Sequence, residues 1–64
     1  MAMTPEQRGR LEKMLDEMSK EEVDTVLETI DTFTHWIYYK CRDIYYAIKN
    51  AIKAVWQKIK EIFS

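Results

Sequence analysis

The chain has 64 residues with one cysteine and one histidine, so an internal disulfide is excluded and a metal site would need ligands from elsewhere. Its net charge is only −1, and lysines interrupt every apolar run well short of the ~18 residues a membrane span requires. A domain this small struggles to bury an adequate core alone, which makes self-association the default remedy.

The lone Cys41 and the lack of a signal peptide point to a reducing, cytoplasmic setting. Met1 and Ala2, ahead of Met3, read as a cloning remnant. Charge is unevenly spread. Residues 1–32 hold four basic and nine acidic side chains, giving −5; residues 33–64 hold six and two, giving +4. Acid at a helix start and base at its end suit the helix macrodipole, so part of this asymmetry needs no partner.

In chain order, residues 1–4 form a short arm and Thr4-Pro5-Glu6-Gln7 opens a first helix over about 5–18. Thr4 can cap, Pro5 takes the first position, and Gln7 can close a capping box. Gly9 weakens this turn by up to ~1 kcal/mol relative to alanine. Leu11, Met14, Leu15 and Met18 make a short apolar stripe. Its phase lies about 120° from the stripe that follows, so the chain should break near residue 18. Ser19-Lys20-Glu21-Glu22 supplies the break as a second capping box, with Met18 and Val23 placed as a hydrophobic staple.

From Ser19 to Ser64 there is neither glycine nor proline, and the apolar residues keep one helical phase. From Val23 through Ile37 and Ile48 to Phe63 they recur at spacings of three and four, inside an arc of roughly 140°. The pattern predicts an all-α fold: one domain over 1–64, with the first helix hairpinned onto one long amphipathic helix over about 20–63. Thr29, Asp31, Thr32 and Thr34 are poor helix formers, and Asp31 or Thr32 could cap a new start. The alternative is therefore a three-helix bundle broken near 31–34.

A long helix cannot bury its own stripe. The first helix reaches only as far as residue 34 or so, which would leave Ile37, Cys41, Ile44, Ile48, Ile52, Val55, Ile59 and Ile62 as a bare self-association seam. An antiparallel homodimer, or a higher oligomer, would cover it. Pairing Asp31 with Lys49 and Glu22 with Lys58 demands the same antiparallel register, centred near residues 40 and 41.

Trp36, Tyr39 and Tyr46, with Asp43 among them, fall on the face opposite the stripe. Large aromatics outside a core mark surfaces that bind other proteins; the competing expectation is further self-packing. Arg42, Lys49, Lys53 and Lys60 line one edge of the C-terminal half, either as stems covering the seam or as a basic helix for anionic lipid. The acidic run from Asp16 to Asp31 is a solvated helix face or a nucleic-acid mimic. His35 lacks ligating companions, and Cys41 falls in the apolar arc as a small core residue. No nucleophile has a base and an orienting third group beside it, so neither catalysis nor a cofactor is expected.

The functional expectation is a non-catalytic protein–protein interaction module, a small oligomeric regulator or inhibitor of a larger protein partner. Its contact residues would be Trp36, Tyr39, Asp43 and Tyr46. A peripheral membrane-surface protein acting through the C-terminal helix is the alternative. Nucleic-acid binding or mimicry comes third, because the net charge is slightly negative and no DNA-reading motif is present.

Overall fold

Thr4 starts α1 (Pro5–Asp16) by the mechanism its sequence predicts: its hydroxyl accepts the Gln7 amide at 3.2 Å, and the Gln7 side chain accepts the Thr4 amide in return. The structure is a computed structural model and describes residues 3–63; Met1, Ala2 and Ser64 lie outside the described residues, and with them the remnant and the first half of the arm expected over 1–4. Helix α1 ends at Asp16, two residues before the expected 18. Ser19 then adopts an extended backbone (φ −68°, ψ 160°) and opens α2 (Lys20–Leu27) through the expected capping box with Glu22.

The single long helix over 20–63 does not form. Helix α2 stops at Leu27, and Thr29 is extended (φ −133°, ψ 163°) before α3 (Ile30–Lys40) begins. The break lies near the one anticipated at 31–34 but a few residues earlier, and neither Asp31 nor Thr32 is the cap. Thr29 takes that position, its hydroxyl accepting the Thr32 amide at 3.1 Å while Thr32 Oγ1 accepts the Thr29 amide at 3.1 Å. A threonine thus does the work usually given to glutamate or glutamine in a capping box.

Stopping a helix orphans its last carbonyls, which need other donors. The Thr32 hydroxyl lies 2.9 Å from Val26 O, and the indole N–H of Trp56, 29 residues downstream of the break, donates to Leu27 O at 3.0 Å. Helix packing late in the chain is thereby tied to the break.

A second interruption sits at Cys41 (φ −153°, ψ 93°), between α3 and α4 (Arg42–Ile48). Its amide still donates to Ile37 O at 3.0 Å and its carbonyl still accepts from Tyr45 at 3.1 Å. The axis turns with these two bonds kept, while the helical bonds that would cross Cys41 are not made. A 3-10 turn (Lys49–Ala51) joins α4 to α5 (Ile52–Phe63), so that residues 42–63 run as one helical stretch of about 22 residues.

Bending the chain at Thr29 and Cys41 turns the in-phase stripe inward from several directions. Leu11 and Leu15 of α1, Val23, Val26 and Leu27 of α2, Phe33 and Ile37 of α3, Ile44 and Ile48 of α4, and Val55 and Ile59 of α5 form one buried core. The expectation of a bare seam is therefore corrected. Ile37, Ile44, Ile48, Val55 and Ile59 are buried within a single chain, Cys41 and Ile52 are half-buried, and only Ile62, 46% exposed, faces outward. The chain measures 29 × 22 × 21 Å, far short of the roughly 69 Å that a straight 46-residue helix would span. No straight antiparallel register centred on residues 40 and 41 can be laid along a helix bent at Cys41.

Two outcomes follow from this packing. Light scattering over a dilution series should return a particle of 7.7 kDa, the mass of one chain, and a dimer persisting at micromolar dilution would show that closure within the chain is incomplete. Trp56→Phe keeps the ring but removes the donor to Leu27, and should lower stability in urea by about 1 kcal/mol; an unchanged midpoint would show the bond to be dispensable.

Candidate functional site

The bend at Cys41 carries the last turn of α3 against α4 and gathers four tyrosines on the outside of the molecule. Tyr38 and Tyr45 meet edge-to-face across the bend at 5.0 Å between ring centroids. Tyr38 also meets Tyr39 at 5.2 Å, and Tyr45 meets Tyr46 at 5.4 Å. His35 stacks on Tyr39 at 6.0 Å, with Asp31 and Thr34 completing the shallow groove beside Tyr38 and Tyr45. Edge-to-face rings attract one another by their quadrupoles, so the four tyrosines form one contiguous plate.

Tyr39 is 75% exposed and Tyr46 is 56% exposed, while Tyr38 and Tyr45 beneath them are half-buried. Cations border the plate. The Arg42 guanidinium carbon lies 4.2 Å from the Tyr38 ring centroid, and Lys49 Nζ lies 5.3 Å from that of Tyr46. Further along α5, Lys60 Nζ is 4.2 Å from the Trp56 ring centroid. These distances fall within the range over which a ring face attracts a cation.

The four residues expected to form one contact surface are divided by the fold. Tyr39 and Tyr46 stay on it. Trp36 does not: it is half-buried, packs against the core, and stacks on Phe33 at 6.3 Å. Its indole N–H is buried without an acceptor, beside a groove lined by Met18, Val26 and Lys40. Trp36 sits at the margin of the apolar stripe, and a margin residue turns inward once a neighbouring helix folds over it.

Asp43 is engaged with α1 instead. Arg10 donates to Asp43 Oδ2 at 2.5 Å, Gln7 Nε2 donates to the same oxygen at 3.4 Å, and the Cys41 thiol donates to Oδ1. Arg10 also approaches Cys41 Sγ at 3.5 Å. Cys41, half-buried and packed against the core as a small residue, also joins a polar clasp between α1 and the start of α4. The thiol and the guanidinium hold the Asp43 carboxyl down to about 2 from an ordinary 3.8, and Asp43 in turn raises the pKa of Arg10.

Sequence reasoning missed Arg10, which fixes Asp43, and left Tyr38 and Tyr45, which build the plate, as neighbours in the aromatic segment from Trp36 to Tyr46 rather than as contact residues. The tyrosine pair is seven positions apart, a spacing that places two residues on one side of a helix and was readable in principle. Arg10 lies 33 positions from its partner and carries no such signal. Among the described residues, no cluster of histidine, cysteine and carboxylate is arranged to hold a metal ion, and no helix is long and apolar enough to cross a membrane. No known protein family, curated protein or solved structure matches the chain.

The clasp gives a pH dependence with a definite sign. Because the folded carboxyl holds its proton less tightly than the unfolded one, its stabilisation is complete above the ordinary value and is lost as pH falls from about 4 to about 2. Urea midpoints measured across that window should fall less steeply for Asp43→Asn than for the parent chain; parallel profiles would show that the clasp does not report on folding.

Proposed function

We propose that this chain is a non-catalytic protein–protein interaction module, a small regulator or inhibitor of a larger protein, and that the tyrosine plate is its contact surface. The observation that carries the reading is the pairing of two well-exposed rings, Tyr39 and Tyr46, with two half-buried rings that hold them in place. Rigid, amphipathic aromatics with an adjoining arginine have the composition of interface hot spots, because little side-chain entropy is lost when they are covered. The chemistry-bearing side chains are occupied in ways that suit this reading. His35 lies on Tyr39, and the Cys41 thiol is turned to Asp43.

The membrane-surface alternative has less support. Val55 and Ile59, the apolar residues that α5 would insert into lipid, are buried in the core.

A photoreactive residue in place of Tyr46 should crosslink to one discrete protein in cells that make this chain, whereas the same residue at Lys13 on α1 should not. Tyr39→Ser with Tyr46→Ser should abolish that adduct when the photoreactive group is moved to Lys49. The loss of ring contacts should cost at most about 1.5 kcal/mol per pair, leaving the circular dichroism of a folded helical protein. Absence of any adduct at position 46, or equal labelling from position 13, would remove the plate as a binding surface.

A further inference from the structure

The tyrosine plate is continued by a track of cations along the helical stretch that leaves it. Arg42, Tyr46, Lys49, Lys53 and Lys60 are all exposed, on the side of α4 and α5 away from Ile44, Ile48, Val55 and Ile59. Even allowing for the tighter turn at Lys49–Ala51, they stay within an arc of about 80°. No carboxylate of this stretch falls inside that arc: Asp43 projects towards α1 and Glu61 lies well to the side. The ion pairs among the described residues are Arg8–Glu12, Arg10–Asp43 and Lys20–Asp24, and none uses a cation of the track. Acidic neighbours occur only near its ends, where Asp31 lines the groove beside Tyr38 and where Asp24 and Glu28 line a groove with Lys60.

We infer that this track docks an acidic helical segment of the larger partner, laid along α4 and α5 with its carboxylates over Arg42, Lys49 and Lys53. The inference rests on the tyrosine plate being a contact surface and specifies the chemistry of what it contacts. Spacing is the first reason. Arg42 to Lys49 is seven residues and Lys49 to Lys53 is four, the intervals at which one edge of a helix repeats and at which a neighbouring helix presents its own flanking charges. The second reason is the state of the rings. Tyr38 and Tyr46 each already hold a cation over one face, which leaves fewer ring faces for bases to stack on beside the cationic heads. Third, with the apolar face of α5 in the core, a lipid surface would gain little from insertion beyond Ile62. A protein helix with carboxylates at matching intervals satisfies all three.

The probe is a synthetic helical peptide with glutamates at seven- and four-residue intervals, compared with a peptide of equal charge whose glutamates are scrambled around the helix. The full chain, labelled for amide NMR, is titrated with each, and in parallel with an oligothymidine single strand and with phosphatidylserine vesicles. The spaced peptide should bind at least tenfold more tightly than the scrambled one and shift the amides of residues 42–53. Lys49→Glu with Lys53→Glu should lose that binding, and Lys53→Gln, which introduces no repulsion, should weaken it. Tighter binding of the oligonucleotide or the vesicles, or equal binding of the two peptides, overturns the acidic helix as occupant. If the spaced peptide fails to bind while the Tyr46 crosslink still captures a protein, the track assignment falls and the plate stands. If the crosslink fails as well, both fall.

Discussion

The bond from the Trp56 indole to the carbonyl of Leu27 joins the two parts of the chain that most need each other. Helix α2 ends where it does because Thr29 and Thr32 cap the next helix, and the carbonyls left behind are then short of partners. Trp56 supplies one donor, its ring packs against the core, and Lys60 covers part of it from outside. With the first half of α5 held at the end of α2, the segments between them close over Phe33 and Ile37, which are fully buried.

That closure changes what a hydrophobic stripe means. On a straight helix, residues at spacings of three and four form one seam for one neighbour. In a chain bent at Thr29 and at Cys41, the same residues face a common centre, and the neighbours they require are earlier and later turns of the same stripe. Eleven side chains from five helical segments then share one core, which is how a 64-residue chain manages without a disulfide or a metal.

Much of this was legible, and the exceptions share a cause. The capping boxes at Thr4 and Ser19 depend on residues three apart, and both form as read. The threonine-rich stretch announced a weakness, but an unbroken apolar phase argued against a turn, because phase records rotation about a helix axis and says nothing of the axis direction. Cys41 was illegible altogether: no glycine, proline or side-chain cap marks it. The surface follows the same division. Tyr39 and Tyr46 were identifiable as aromatics outside the stripe. Trp36 was placed with them because its inward turn depends on where another helix lies, and Asp43 because its partner Arg10 belongs to a different helix.

The bend at Cys41 differs in kind from the one at Thr29. Thr29 opens the next helix with a side-chain cap, whereas Cys41 rotates out of the helical region with no side-chain cap, keeping its own amide and carbonyl bonds while the helical bonds that would cross it are given up. The turn at residue 41 is therefore held by side chains: the Cys41 thiol on Asp43, Arg10 and Gln7 of α1 on the same carboxylate, and the buried residues of α3 and α4 beneath. The helix before the turn and the helix after it are thus joined through α1, the earliest element of the chain, which acts as a brace across a joint formed 25 residues later.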